Sequence, residues 1–335
     1  ITVTSPALTK IVIDSSGSVT TVSSGSKLQF KATGTYEDGT TADITNSVTW
    51  NSSNTTTATI DASGNLTGIK VGTTNVTASS VTPSGTVTSN SVAIAVTPGA
   101  AANIVKGTGD GQTGKVGAAL ANPFVVMITD ANNNPVPGVE VTFTVTDGSG
   151  NFGGQTSIKV TTDASGNASA TLTLGEKVGT NNNKATVTSG SLTAVNFTAS
   201  AVAGDARTMT KGTGDGQTAT VGTALGAPFV VNVVDQYANP VAGVEVTFTV
   251  KDGSGNFGGQ ASVKVTTDAS GNATSSAVLT LGTKAGTNTV QATSTGLAGS
   301  PQTFTATGTA GAPNKIEVVS DKSQISCSTA STANL

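Results

Sequence analysis

The sequence predicts an all-β protein built from successive β-sandwich domains. Apolar residues alternate with hydroxyl-bearing residues through most of the chain, which is the pattern of half-buried strands. Charged residues make up only 10% and hydrophobic residues 36%, and there are 41 glycines. Low charge combined with many β-branched residues favours strands over disorder. The third observation is an internal repeat whose length is that of one sandwich domain.

The repeat is clearest in the stretch GVEVTFTVTDGSGNFGG, which starts at Gly138 and returns with one letter changed at Gly243, 243 − 138 = 105 positions later. The stretches KGTGDGQT (106–113) and TTDASGNA (161–168) recur at the same spacing. Solenoid repeats are about 20–50 residues long, whereas a β-sandwich domain has about 100 residues. We therefore interpret the copied unit as a whole domain.

Comparison of the two copies predicts which side chains face the core. In PFVVMITD, the residues Phe124, Val126 and Ile128 remain apolar in the second copy, whereas Met127 is replaced there by Asn232. Alternate residues of a strand face opposite sides of the sheet. The first three should point inward and Met127 outward.

The first ninety or so residues differ in sequence but follow the same two-residue period. Short alternating stretches such as KLQFKATGTY and SVAIAVTP lie between turn-forming residues. The only tryptophan, Trp50, alternates with Val48 and is the expected centre of a core. This region is predicted to be a smaller sandwich.

At these residues the chain resembles two known families. The stretch VTWNSSNTTTATIDASGNLTGIKVGTTNVTA resembles the bacterial Ig-like domain of group 2. The motifs GDGQT, D-x-x-x-NPV-x-GVEVTF and TTDASGNA resemble the group 1 domain of invasin and intimin adhesin stalks. The resemblance implies tandem immunoglobulin-like β-sandwich domains in an extended rod, displayed extracellularly on the bacterial cell surface.

The predicted domain organisation has five parts. They are 1–7, an end strand of a preceding domain or a linker; 8–98, a group 2 domain; 99–203 and 204–310, group 1 domains; and 311–335, the opening strands of an incomplete further Ig-like domain. Two interpretations of the ends stay open. The chain is a piece of a longer tandem array, or its ends are completed by strands from neighbouring subunits, which would produce a head-to-tail filament.

Composition excludes several classes of partner and chemistry. With a net charge of −3 and no basic run, nucleic acid and anionic membrane surfaces are not expected partners. The absence of histidine removes the commonest general base and metal ligand, and the single Cys327 cannot form an internal disulfide. No apolar run approaches the ~20 residues that span a bilayer. We expect no enzyme, no cofactor, and no catalytic, cofactor-binding or metal-binding residue.

Two loops have the letters of ligand sites but lack the required context. GDGQTG at residues 109–114 fits G-x-G-x-x-G, but a strand pattern follows it where a phosphate-binding helix is needed. We interpret it as a loop. DANNNP at residues 130–135 has the alternating oxygens of a calcium loop but lacks the glycine and distal glutamate, and its second copy carries Tyr237. An Asx turn is the preferred interpretation, with calcium at a domain junction kept as the alternative.

The remaining polar candidates are also interpreted as structural. The repeated Asp110, Asp147 and Asp163 each lie beside Gly or Asn in turn-forming sequences. Glu140 and Glu245 are placed on the outward face of a strand, without a catalytic partner in the sequence.

These observations predict a structural or adhesive extracellular surface protein, either a rigid stalk or a filament-forming subunit. Its expected partners are copies of itself or further Ig-like domains of the same chain, and host or cell-surface glycans or receptors. A carbohydrate- or receptor-binding module is the first alternative, although aromatic residues are only 4% and such residues dominate binding hot spots. A phage tail or head appendage is the second.

Overall fold

The computed structural model describes residues 5–313, which fold as three β-sandwiches in two units, Ile1–Gly204 and Asp205–Leu335. No α-helix occurs in residues 5–313, so no helix there has the length to cross a membrane. The all-β prediction is confirmed. The expectations for the two chain ends, including those for Cys327, fall largely or wholly outside the described residues. The predicted domain boundaries stay a prediction.

The first sandwich has ten strands. They are β1 (Leu8–Ser15), β2 (Thr21–Ser23), β3 (Lys27–Tyr36), β4 (Thr41–Asp43), β5 (Thr49–Ser52), β6 (Ala58–Ile60), β7 (Asn65–Gly68), β8 (Gly72–Thr82), β9 (Gly85–Thr88) and β10 (Val92–Thr97). One sheet has the order β1-β3-β7-β6, with β4 beside β3. The other has the order β2-β10-β8-β5, with β9 beside β8.

The core of the first sandwich is centred on aromatic and branched side chains from both sheets. Phe30, Leu66 and Ile94 are completely buried. Trp50 packs edge-on against Phe30 with ring centroids 5.9 Å apart, and its indole N–H donates to the Thr45 carbonyl at 2.9 Å. The prediction that Trp50 is a core residue is confirmed.

An asparagine side chain caps the outer edge of strand β1. The backbone N–H of Ile13 donates to Asn90 Oδ1 at 2.8 Å, and Asn90 Nδ2 donates to the Ile13 carbonyl at 3.1 Å. The amide thereby supplies both hydrogen bonds that a neighbouring strand would make, because β1 pairs with β3 on its other side.

The second sandwich has eight strands. They are β11 (Asn103–Lys106), β12 (Gln112–Lys115), β13 (Phe124–Thr129), β14 (Glu140–Asp147), β15 (Ser157–Thr161), β16 (Asn167–Ala170), β17 (Gly179–Thr188) and β18 (Val195–Val202). A three-stranded sheet, β11-β13-β16, faces a five-stranded sheet, β12-β18-β17-β14-β15. Phe124, Val126 and Ile128 are completely buried and Met127 is half-buried, as predicted from the two copies.

The loop prediction for residues 109–114 is wrong in its second half. Strand β12 begins at Gln112 and runs parallel to β18, with Gln112 opposite Ala199 and Lys115 opposite Val202. The stretch QTGK lacks apolar alternation because it forms the edge of its sheet, so its strand conformation depends on a partner far along the chain.

The third sandwich, in the second unit, repeats this arrangement. Its strands are β19 (Thr208–Lys211), β20 (Gln217–Thr220), β21 (Val230–Val234), β22 (Glu245–Asp252), β23 (Ser262–Thr266), β24 (Asn272–Thr274), β25 (Gly286–Thr293) and β26 (Gln302–Thr309). The sheet orders are β19-β21-β24 and β20-β26-β25-β22-β23. The near-identical sequences therefore fold into the same topology.

Candidate functional site at the joint of the first two sandwiches

Within the first unit, the loop of residues 130–134 in the second sandwich forms hydrogen bonds with the first sandwich. The first sandwich ends with β10 at Thr97, and the second begins with β11 at Asn103. The loop follows β13 and reaches the end of the first sandwich, where it contacts Ser24 and the segment between β7 and β8. We call these contacts the joint.

Asp130 shapes the loop from inside. One carboxylate oxygen accepts the backbone N–H groups of Asn132 and Asn134, each at 2.9 Å, which is the hydrogen bonding of an Asx turn. The other oxygen accepts the N–H of Gly99 at 2.9 Å and the Asn134 amide at 2.9 Å. Because the side chain is folded into a turn, the preferred sequence interpretation of DANNNP is confirmed.

The environment of Asp130 favours its ionised form. The residue is only 2% exposed, and burial alone would raise its pKa. The hydrogen bonds from Gly99, Asn134 and Asn132 together outweigh this effect of burial and lower the pKa of Asp130 from 3.8 to about 2. The carboxylate is therefore charged at every physiological pH.

Asn134 connects the loop to the first sandwich through both ends of its amide. Its Nδ2 donates to Ser24 Oγ at 2.9 Å and to the Ile69 carbonyl at 2.8 Å, and its Oδ1 accepts the N–H of Val71 at 3.1 Å. Asn132 adds a bond to Ser24 Oγ at 2.8 Å. Asn134 is 1% exposed, so these bonds are shielded from water.

Gly99 allows the two sandwiches to approach closely. A Cβ atom at this position would lie 2.7 Å from the Ser24 carbonyl oxygen, which is closer than real Cβ contacts. Its N–H is also one of the donors to Asp130. The joint is thus tight as well as hydrogen-bonded, and its geometry is suited to holding two domains at a fixed angle.

The joint is not arranged as a cation site. Both oxygens of Asp130 already accept N–H groups of the protein. Across residues 5–313, no group of three or more His, Cys, Asp and Glu residues is placed to hold a metal ion. The oxygen atoms at the joint therefore give no support to the alternative of calcium at a domain junction. The expectation that the chain has no metal-binding residue stays a prediction.

The residues of the GDGQT motif contribute to the fold of the second sandwich. Asp110 pairs with Lys106, whose Nζ lies 4.9 Å from the centre of the Phe197 ring. Burial would raise the pKa of Asp110, but hydrogen bonds from Lys106 and the Thr198 N–H lower it. The Gln112 amide donates to the Gly109 carbonyl at 2.6 Å. The backbone N–H of Gly111, the kind of group that a phosphate-binding loop offers to its ligand, donates instead to the Thr198 carbonyl at 2.9 Å.

The other predicted surface carboxylates form ion pairs or cap turns. Glu140 and Glu245 pair with lysines on the adjacent strand, Lys159 at 2.8 Å and Lys264 at 2.9 Å. Asp163 accepts backbone N–H groups within its own turn. The two lysines lie on the neighbouring strand of the same sheet, and the sequence analysis did not identify them as partners of the glutamates.

The third sandwich has a surface groove, which is a second candidate site besides the joint. It is lined by Val244, Glu245, Thr247, Thr293, Ser294 and Thr295. Its polar groups are one carboxylate and several hydroxyls, and it contains no aromatic ring.

Sequence reasoning missed the half of the joint that belongs to the first sandwich. Ser24, Ile69 and Val71 carry no motif, and they lie 63 to 110 positions from Asn134 in the chain. The Pro98-Gly99 pair after β10 is the one local signal of a tight connection.

Comparison with known families identifies the domains. The bacterial Ig-like domain (group 2) matches residues 7–91, and the bacterial Ig-like domain (group 1) matches residues 117–200. The chain is built from bacterial Ig-like domains. The third sandwich shares the group 1 motifs and the topology of the second. Ice-binding protein 1 of Shewanella frigidimarina is 44% identical over 79 residues, which are 24% of this chain and 9% of that protein.

Solved structures with Ig-like domains are also similar to this chain. The Escherichia coli adhesin FdeC is 17% identical with a TM-score of 0.45, covering 92% of this chain and 100% of that chain. Invasin, a bacterial integrin-binding protein, is 21% identical with a TM-score of 0.30, covering 62% of this chain and 38% of that chain. The matched part of this chain spans about 9% of the length of Ice-binding protein 1.

Proposed function

We propose that these Ig-like domains form a structural segment of an extracellular bacterial surface protein, in which they hold an adhesive part at a fixed distance from the cell. The observation that carries this proposal is the joint, where buried Asp130 and Asn134 fix the second sandwich to the first. Rigid coupling of successive domains is what a stalk or surface layer requires, whereas independently moving domains are joined by flexible linkers.

The rigidity of the joint can be measured directly. We expect Asn134→Ala in the full chain to broaden the distance distribution between spin labels on the first and second sandwiches, because three hydrogen bonds to the first sandwich are lost. Double electron–electron resonance spectroscopy on wild type, N134A and the control N167A tests this. Asn167 is a half-buried residue at the start of β16 in the second sandwich. Equal widths for all three would remove the support that the joint gives to the proposal.

Display on the cell surface needs a separate test. An antibody raised against the chain should label intact cells of the bacterium that encodes it, and protease treatment of intact cells should remove the label. Labelling that appears only after lysis would overturn the surface assignment.

A more specific version of the proposal is that the chain is a filament-forming subunit, completed by strand exchange between copies. It concerns the chain ends, which lie outside the described residues. Light scattering of the purified chain tests it, because head-to-tail exchange gives a mass that grows with concentration, and a monomer at all concentrations would remove this form.

A glycan-binding module is the second candidate function, and the groove beside Glu245 is the observation that favours it. A carboxylate and several hydroxyls can accept and donate hydrogen bonds to sugar hydroxyls. Binding on a glycan array that is lost in Glu245→Gln would support this function, whereas no binding at all would remove it.

A further inference from the structure

Each sandwich pairs an early strand with its last strand in parallel. In the second sandwich β12 lies beside β18, with residues Gln112–Lys115 opposite residues 199–202. In the third sandwich β20 lies beside β26, with Gln217–Thr220 opposite residues 306–309. In the first, the parallel pair is β2 and β10 over three residues. We call these pairs the terminal ladders.

The direction of the strands decides how a ladder responds to tension. Because β12 and β18 are parallel, the chain enters β12 at one end of the ladder and leaves β18 at the other. A pull on the two chain ends then acts along the strands and in opposite senses. The hydrogen bonds lie across the strands and carry this load together, whereas an antiparallel hairpin pulled at its open end loses them one at a time.

The repeated GDGQT motif lengthens the ladder beyond its strands. The N–H of Gly111 donates to the Thr198 carbonyl at 2.9 Å, and the Thr198 N–H donates to Asp110 Oδ1 at 2.8 Å. At the other end, the N–H of Val116 donates to the Val202 carbonyl at 2.9 Å. Asp110 thus adds a charge-assisted bond to the last strand.

The third sandwich repeats these bonds with the corresponding residues. Gly216 donates to the Thr305 carbonyl at 2.9 Å, and the Thr305 N–H donates to Asp215 Oδ1 at 2.8 Å. Lys211 pairs with Asp215 at 2.6 Å and lies 5.3 Å from the centre of the Phe304 ring. The motif therefore places the same aspartate against the last strand in both copies.

We infer that the terminal ladders are tension-bearing elements, and that Asp110 and Asp215 raise the force needed to separate β12 from β18 and β20 from β26. This inference rests on the proposed structural function, because a stalk between a cell and a surface is loaded through its two ends. It assigns a role to a motif that the sequence alone presents as a plain loop.

Single-molecule pulling of the full chain between handle domains tests the inference. Forced unfolding follows the unfolding rate rather than the equilibrium stability. We expect the double variant D110A/D215A to unfold about tenfold faster at a fixed force in two of its three unfolding events, because each loses the bond from the last strand.

A matched control separates tension bearing from general stability. Asp163 and Asp268 also accept two backbone N–H groups each, from Ser165 and Asn167 and from Ser270 and Asn272, but in turns outside the ladders. We expect D163A/D268A to change the unfolding rate under force less than twofold. Urea unfolding of both double variants shows whether their equilibrium stabilities are matched.

Equal rates under force for the two double variants would overturn the inference, since the barrier would then lie elsewhere, for example between β11 and β13. If D110A/D215A fails to fold, D110N/D215N, which replaces the charge-assisted bonds from Thr198 and Thr305 with neutral ones, is compared with D163N/D268N, and equal rates under force for this second pair would also overturn the inference. The result is independent of cell-surface labelling, so failure of this inference and failure of the proposed function can be told apart.

Discussion

Asp130 organises the joint with one carboxylate, and its effect extends beyond its own loop. It bonds to Gly99 in the connection from the first sandwich and to Asn134, which in turn bonds to Ser24. A charge buried with several N–H donors is stabilised in its ionised form. Protonation therefore weakens the whole set of bonds that links the two sandwiches.

Acid should destabilise the first unit through this carboxylate. The folded pKa of about 2 lies below the ordinary 3.8, so the stabilisation is present above about pH 3.8 and is lost as the pH falls towards 2. We expect the free energy of unfolding to fall by about 2 kcal/mol more in wild type than in Asp130→Asn between pH 5 and pH 2. Urea unfolding followed by circular dichroism measures this, and parallel pH profiles would contradict it.

At the scale of elements, the outer strands of the sheets are protected in two ways. Asn90 covers the edge of β1 at Ile13 with a side-chain amide. The edge strands β15 and β23 instead carry the exposed lysines Lys159 and Lys264, each paired with a glutamate of the next strand. Charged side chains on an edge disfavour pairing with another molecule.

Removal of the Asn90 amide should expose the edge of β1. We expect Asn90→Ala to lower the free energy of unfolding of the first sandwich by about 1 kcal/mol, because two backbone groups of Ile13 lose their partners. The fluorescence of Trp50, the single tryptophan, reports this sandwich during urea unfolding. Asn51→Ala, at an exposed position of β5, is the control, and equal losses for both variants would argue against an edge cap.

Strands in which apolar residues recur at every second position were predictable from the sequence, and strands without this alternation were not. Phe124, Val126 and Ile128 alternate with more polar positions, so their strand and its inward face follow from the sequence alone. Strand β12 was missed because its conformation depends on β18, about ninety residues later. The joint was half predictable. The Asx turn at Asp130 is a local pattern, whereas its contacts with Ser24 and Ile69 depend on the tertiary structure.

At the scale of the whole molecule, sparse charge leaves few groups for ions to bind. Charged residues make up 10% of the chain, and the carboxylates of Glu140, Glu245, Asp110 and Asp215 are paired with lysines. The oxygens of Asp130 are occupied by N–H donors. Stability should therefore depend on packing and hydrogen bonds rather than on bound cations.

The melting temperature of the full chain should be insensitive to calcium. We expect the same value, within about 1 °C, in EDTA and in millimolar calcium, since a stabilising ligand would raise it by mass action. Differential scanning calorimetry with magnesium as the control ion measures this. A rise of the melting temperature with calcium but not with magnesium would show that a cation site exists, and the domain junction would again be a candidate for its location.

The joint has a consequence for how such genes can be rearranged by recombination. Its bonds are divided between two modules, because Ser24 and the Ile69 carbonyl come from the first and Asp130 and Asn134 from the second. A module transplanted in front of the second would need a hydroxyl and a carbonyl that can accept these hydrogen bonds at matching positions. Shuffling should thus preserve compatible neighbours, so that a pair of adjacent modules is inherited together.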